Sequence, residues 1–479
     1  MVDGMNARPG HGGQTGGIAT SPAPGTDGSR REKTVAVFGL GFVGLTTALG
    51  FAETGCRVFG IDVDRERKDT LRKGSIPFHE PHMEEILRKH LDKDFFVTDS
   101  ITEAVGESTY IFYCVGTPYG ADGSADLSFL FSAIDSTLDA IQDERFRVLV
   151  TKSTIPPSTT AEKILPYIRG KGRKAEHTGV ANNPEFLREG HCWEDFMEAD
   201  RIVLGVNDGT SRRLLTELYE PMGIPVKCVS HSTGEFIKYL SNTLLATLVS
   251  YSNEMAQAAE AFGGIEVAEA FRILHMDKRW NGCSMTTYVY PGCGYGGYCL
   301  PKDTSAFYAQ AAEKGFDAQI LKKVIETNTE RPKRIARKIA GCLRDALQLK
   351  QERTEKEDAA EENSMGTPGR KEAEAPGNAG TIGILGLSFK PGSDDVRDTP
   401  AWKIIQALRQ LGCKDIIGYD PIAMGEFRRR YPDAGIRYAG SMQEAWGQSD
   451  VLAIVTAWEE FRDVTKLGDK KVVDCRYML

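Results

Sequence analysis

No apolar run in the chain approaches the roughly 18 residues that a membrane helix needs, and the first thirty residues lack the apolar centre of a secretory signal. A protein that neither spans nor addresses a membrane is expected. Closely spaced cysteines are missing too. Ten are scattered through the sequence with no CxxC pair, which excludes a short-spaced disulfide framework and fits reduced thiols in the cytoplasm. A basic excess is also absent: 59 Lys and Arg stand against 67 Asp and Glu, a formal net charge of −8. A dedicated nucleic-acid binder needs the opposite balance. What is present is ordinary globular material, with 41% hydrophobic, 26% charged and 9% aromatic residues over 479 positions. At the usual ~100–200 residues per domain, that is enough for about three domains.

Two stretches are too poor in large apolar side chains to offset the entropy of ordering. Residues 1–33 are rich in Gly, Pro, Ser and Thr, and residues 349–379 are dense in Glu, Lys, Ala and Gly. The first reads as a disordered tail and the second as a flexible insertion or linker. Between and after them the pattern alternates. β-type runs at Thr34–Phe38, Arg57–Asp62, Tyr110–Val115, Val148–Lys152 and Arg201–Val206 are spaced by helical segments, the first of which is Val43–Thr54. Such alternation predicts a doubly wound parallel sheet over residues 34–230. From Ser232 the pattern changes to one long apolar helix ending near Gly263 and Gly264, with Ser232-Thr233-Gly234-Glu235 at capping-box spacing. A helical middle domain over 231–348 is expected, its long helix serving as spacer and dimer surface. Alternation resumes over 380–479, with β-type runs at Thr381–Leu385, Asp415–Tyr419, Val451–Thr456 and Lys471–Asp474. The fold class is therefore α/β, with two Rossmann-like doubly wound domains joined by a long helix.

The first β-type run leads into Gly39-Leu40-Gly41-Phe42-Val43-Gly44, and Asp62 follows eighteen residues after the last glycine. Glycines permit the tight turn and the approach of a pyrophosphate to the backbone, a helix N-terminus favours its charge, and the acid accepts from ribose hydroxyls while repelling a 2′-phosphate. NAD is the expected cofactor. In Tyr295-Gly296-Gly297-Tyr298-Cys299-Leu300-Pro301-Lys302-Asp303, Pro301 suits the first turn of a helix over Lys302–Gly315. The Cys299 thiol would sit at a helix N-terminus beside a lysine, two features that favour thiolate. Lys238 and Asn242 share one helix face, Asn183–Gly190 combines a rigid turn with two acids, and Phe389–Arg397 offers two cations for phosphates. By spacing alone, each of these three reads as a solvated face or an ordinary loop.

In this order, and with Gly116-Thr117-Pro118, Lys152-Ser153-Thr154-Ile155-Pro156, Tyr419-Asp420-Pro421 and Asp474-Cys475-Arg476, the segments resemble the UDP-glucose/GDP-mannose dehydrogenase family, most closely its UDP-glucose 6-dehydrogenase branch. The resemblance covers about 34–345 and 380–479. It implies an oxidoreductase that takes a sugar C6 alcohol to a carboxylate with two NAD, a step of UDP-glucuronate and polysaccharide biosynthesis. Cys299 matches the nucleophile, Glu185 the acid that moves protons or activates water, Lys238 the oxyanion stabiliser and Asn242 the holder of the intermediate. Thr154 and Asp303 match the residues that position water. Cofactor contacts implied are Gly39, Gly41, Phe42, Val43, Gly44, Asp62, Arg67, Thr117, Thr154, Glu189, Lys302 and Arg397. Substrate contacts implied are Glu185, Phe186, Leu187, Arg188, Glu189, Lys238, Asn242, Tyr290, Gly294, Tyr295, Gly296, Phe389, Lys390 and Arg476. Arg279 matches an arginine that reaches the neighbouring subunit, which implies a homodimer at least. No metal is implied. The same chemistry on a UDP-N-acetylhexosamine or GDP-mannose, and a non-catalytic regulator binding NAD and a nucleotide sugar, are the alternatives.

Overall fold

The computed structural model describes residues 33–120, 124–172, 176–277, 288–362 and 380–479, without the side chains of 356–362. Arg279, the tail at 1–32 and residues 363–379 of the expected insertion lie outside the described residues. Eight strands form the first sheet: β1 (Thr34–Phe38), β2 (Arg57–Ile61), β3 (Phe95–Val97), β4 (Tyr110–Tyr113), β5 (Arg147–Thr151), β6 (Thr178–Asn182), β7 (Ile202–Val206) and β8 (Val226–Val229). Their order is β3-β2-β1-β4-β5-β6-β7-β8. Alternate residues of β1 serve two layers. Val35 and Val37 join the core under one face with Leu45, Leu49 and Phe51, while Ala36 and Phe38 join the other with Ile111, Ile134 and Leu149. A sheet buried on both faces needs such near-continuous apolar strands.

One pairing departs from the expected parallel sheet: β7 runs antiparallel to β6, with Ala181 opposite Val206 and Asn182 opposite Gly205. Parallel neighbours need a crossover that carries the chain back to the starting edge. Here a loop and the short helix Cys192–Met197 return it from the same end. The Asn183–Gly190 segment is thereby held at the carboxyl edge of the sheet.

The second sheet has β9 (Ile382–Leu385), β10 (Ile416–Tyr419), β11 (Arg437–Tyr438), β12 (Val451–Ile454) and β13 (Val472–Asp474), all parallel, in the order β11-β10-β9-β12-β13. In each sheet the chain reverses its direction of winding beside the first strand, where ligands of open α/β sheets bind. The turns there are built alike. Gly39 (φ 89°) donates its N–H to Ile61 O, and Gly386 (φ 94°) donates its own to Tyr419 O. Asp62 accepts from the N–H of Leu40 at 2.6 Å and of Asp64 at 2.8 Å; Asp420 accepts from Leu387 N–H at 2.8 Å and Ile422 N–H at 3.1 Å.

Four helices matter for the site. α1 (Phe42–Glu53) starts on Gly41, α2 (His231–Phe262) ends on Gly263 with φ 73°, α3 spans Cys299–Glu313 and α4 spans Gln319–Glu362. The capping box expected at Ser232–Glu235 does not form. The helix starts earlier, Ser230 accepts from Thr233 N–H at 3.2 Å, and Glu235, past the first turn, points inward. α3 likewise starts three residues before the expected Lys302, so Cys299 is its first residue. α4 continues to Glu362, well into the stretch read as a flexible insertion, because Glu, Lys, Arg, Gln and Ala are strong helix formers and Gln348–Glu352 and Gln351–Glu355 pair one turn apart. Its Ile335, Ile339 and Leu343 pack with Ile382 and Ile384, docking the helix on the second sheet.

Candidate active site

The glycine turn after β1 has the shape its sequence implies. A Cβ on Gly44 would lie 1.7 Å from Gly39 O, and one on Gly39 2.7 Å from Cys114 O, so both glycines are required by close packing. A Cβ on Gly41 meets nothing within 4 Å. Gly41 also caps α1 without a side-chain hydrogen bond, so the helix presents free N–H groups to an open space, which suits a pyrophosphate. Asp62 is buried and, besides its two backbone bonds, holds Arg67 at 2.9 Å. Phe42 and Val43 open the helix beside it.

α2 brings Lys238 and Asn242 inward, both buried, which overturns the reading of that face as solvated. Lys238 Nζ lies 2.9 Å from Glu185 Oε1, and Glu185 Oε2 accepts from Leu187 N–H at 2.7 Å. Asn242 donates to Asp303 Oδ2 at 2.5 Å, while Lys302 holds the other oxygen of that fully buried carboxylate at 2.6 Å. Phe186 stands under two cations, Lys238 at 5.6 Å and Arg201 at 4.5 Å from its ring centre. Thr117 donates to the carbonyl of Thr154 at 2.8 Å, fixing the loop after β5.

Loops of the two sheets meet on Glu189. Its carboxylate takes Arg397 at 3.0 Å, its carbonyl takes Lys390, and Asp395 holds Arg397 at 2.7 Å. Tyr298 lies between Arg397 at 4.6 Å and Lys302 at 5.6 Å from its ring centre. The Tyr290–Gly296 loop is held through its backbone: Gly292 N–H donates to Asn253 at 2.7 Å, and Tyr295 exchanges two bonds with Asn328 at 2.8 and 3.0 Å. Gly294 adopts φ 102°, and a Cβ on Gly296 would lie 2.6 Å from Asp398 O. Phe389 packs on Gly297, Arg476 packs on Gly292, and Tyr290 donates to Tyr477 O at 2.7 Å. Arg188 is not drawn in. Its guanidinium is taken by Asp195 at 2.7 Å, on the exposed side of the loop.

Electrostatics distinguish these groups. Burial alone would raise the Glu185 carboxyl, but Lys238 and the Leu187 amide hold it below its usual value. Burial would likewise depress Lys238, yet Glu185, Cys299 and Asp303 keep it above its usual value. Cys299 keeps surface open to solvent, yet protein atoms surround its sulfur densely. Desolvation, reinforced by Glu185 and Asp303 and only partly opposed by Lys238, pushes its thiol up to about 12. The thiolate expected from helix position and Lys302 is therefore not the resting form, because Lys302 is committed to Asp303. Sequence reasoning also missed Lys152, whose buried ammonium donates to Asn183 at 2.8 Å and is depressed to about 8, first by burial. No spacing rule signals such a group.

Three blocks of the chain match, in order, the NAD binding domain (residues 33–223), the central domain (232–330) and the UDP binding domain (383–479) of one family. The chain belongs to the UDP-glucose/GDP-mannose dehydrogenase family. Among relatives of this dehydrogenase, a UDP-glucose 6-dehydrogenase of Pseudomonas aeruginosa is 36% identical over 89% of this chain and 88% of its own. The structure of a UDP-glucose dehydrogenase from Pyrobaculum islandicum superposes with TM-score 0.81 at 32% identity, covering 94% of this chain and 96% of that one. A UDP-D-ManNAc dehydrogenase from Pyrococcus horikoshii superposes with TM-score 0.74 at 26% identity, covering 93% and 96%. The dehydrogenase is an NAD-dependent oxidoreductase with a UDP binding domain, and no helix among its described residues is long and apolar enough to cross a membrane.

Proposed function

We propose that the dehydrogenase oxidises the C6 alcohol of UDP-glucose to the carboxylate, with Cys299 as covalent nucleophile. The observation that carries this reading is that the Lys238–Glu185 pair and the Asn242-bound Asp303 lie close enough to Cys299 for their charges to act on its thiol. Gly39–Gly44 and Asp62 would hold NAD, which when bound would supply the hydride acceptor for each oxidation. Lys238 stabilises negative charge on the sugar O6, and in a water-poor site that favours the alkoxide-like state over the neutral alcohol. Glu185, kept ionised by Lys238, takes the proton that the alcohol loses. The Cys299 sulfur then adds to the aldehyde carbon, giving a thiohemiacetal and, after the second oxidation, a thioester. Asn242 keeps the bound carbon in register, and Thr154 and Asp303 position the water that releases the acid. The similarity to UDP-glucose 6-dehydrogenases over most of the chain supports the choice of sugar.

The test is NADH formed per mole of sugar with excess NAD, offering UDP-glucose, UDP-N-acetylglucosamine, UDP-N-acetylmannosamine and GDP-mannose separately. Two NADH with UDP-glucose alone is the expected result. Two with another sugar would correct the substrate, and none with any would shift weight to a binding-only role. Cys299→Ser is expected to stop the second oxidation; full acid production by it would refute the covalent route.

The working unit is proposed to be a homodimer. Phe236, Leu240, Leu244, Tyr251, Met255 and Phe262 form an exposed apolar stripe along α2, wider than a solvated helix face ordinarily carries.

A further inference from the structure

The connection from β2 to β3 passes through Pro77-Phe78-His79-Glu80-Pro81. Proline fixes its own φ and disfavours helix in the residue before it, so the three residues between the prolines are stiffened at both ends. Each of the three reaches a different part of the molecule. Phe78 places its ring centre 4.1 Å from that of Phe42, at the start of α1 beside the glycine turn. His79 donates its N–H to Asp394 Oδ2 at 3.2 Å, in the Phe389–Arg397 loop of the second sheet. Glu80, 5% exposed, accepts from Gly190 N–H with Oε2 at 2.8 Å and from Cys192 N–H with Oε1 at 2.7 Å.

Those two amides close the Asn183–Gly190 segment. Gly190 is buried with φ 83°, and a Cβ on it would lie 2.8 Å from Gly392 O, so this bend is where the segment abuts the loop of the second sheet. Buried N–H groups need acceptors, and one carboxylate serves both. The residue just before the bend is Glu189. Its carboxylate takes Arg397 at 3.0 Å and the Ser393 hydroxyl at 3.4 Å, while its carbonyl takes Lys390. A shift of Gly190 would move Glu189 against all three.

We propose that Glu80 is a positioning residue for the reaction, which sets the bend at Gly190 so that the Glu189 carboxylate meets Arg397 across the two halves of the site. The inference rests on the reading of Glu189 and Arg397 as ligand contacts. Glu80 itself acts only through the backbone of Gly190 and Cys192, and the prolines on either side of its segment hold it in place to do so.

Glu80→Gln keeps the bulk and one acceptor but turns an NH2 group toward the other buried N–H. In the full-length enzyme with NAD and UDP-glucose, it is expected to lower kcat/KM at least about tenfold. A double-mutant cycle with Arg397→Met separates positioning from general support of the fold. If Glu80 acts by placing Glu189 against Arg397, the double variant loses no more than about threefold beyond Arg397→Met alone. Losses that multiply, or wild-type kcat/KM in Glu80→Gln, would overturn the proposal. Should Glu80→Gln fail to fold, Glu80→Asp, which holds both oxygens one methylene short of the amides, goes through the same cycle under the same criteria. Wild-type enzyme that does not oxidise UDP-glucose would count against the choice of sugar alone. The cycle is then read on the NAD dissociation constant, where non-multiplying losses are again expected and multiplying ones overturn the proposal.

Discussion

At the scale of single residues, the acids around Cys299 decide how it behaves. A thiol pushed up to about 12 is neutral in the resting enzyme, so its reactivity should rise with pH throughout the neutral range. Alkylation of Cys299 by iodoacetamide in the free enzyme is expected to climb about tenfold per pH unit from 7 to 9; a plateau near 7 would show a thiolate already present. Lys238 is the complementary case. Removing it as Lys238→Met leaves Glu185 buried without its cation, which should cost about 3–5 kcal/mol by chemical denaturation at pH 8. The sign follows from the depressed Glu185 carboxyl. The ion pair contributes above the unfolded carboxylate pKa and is lost as pH falls through the lower folded value, so the stability gap between wild type and variant should narrow on acidification. A gap independent of pH would mean that the pair is not what holds Glu185. Cys299 could be named from the composition of its own motif, whereas Glu185 and Asp303 could be named only from the order in which the motifs resemble one family. Glu80 and Lys152 could be named from neither, since their character comes from neighbours distant in sequence: Gly190 and Cys192 for the first, Asn183 and Phe196 for the second.

At the scale of elements, the glycine turn separates a folding role from a binding role. Gly44→Ala places a carbon 1.7 Å from Gly39 O and should displace the start of α1, lowering both Tm and NAD affinity. Gly41→Ala projects into open space and should leave Tm within about 2 °C while weakening NAD at least about tenfold by titration. Equal loss of Tm in both variants would argue against a phosphate at Gly41. Several strands buried on both faces, β1, β4, β5 and β7 among them, were legible as apolar runs, and so was the long helix; β6 and β8 were not, because Thr-Gly-Val-Ala-Asn and Val-Lys-Cys-Val lack a run of large apolar side chains. The short strands β3 and β11 were not, because two or three residues carry no periodicity. The direction of β7 was not legible either, since it depends on where the preceding connection emerges.

At the scale of the whole molecule, the exposed stripe on α2 makes assembly testable. Leu240→Glu with Leu244→Glu places charge in the middle of that stripe and should halve the mass seen by analytical ultracentrifugation, whereas an unchanged mass would locate the interface elsewhere. The division of labour between the two sheets was readable in outline from the order of motifs, but the likeness of their first turns became visible only in three dimensions. Gly39-Leu40-Gly41-Phe42 and Gly386-Leu387-Ser388-Phe389 are one device used twice, each clipped by an aspartate at the end of the second strand. They differ at the third residue. Ser388 adds its own N–H and hydroxyl to Asp420, and Trp458, Ile422 and Ala423 add three more donors, so that carboxylate is sealed and fully buried. Asp62, opposite Gly41, receives three donors in all and has a lone pair left over. The two sheets thus open on the same turn, yet only the first leaves its aspartate room for a further donor, while Ser388, Trp458, Ile422 and Ala423 together close the second.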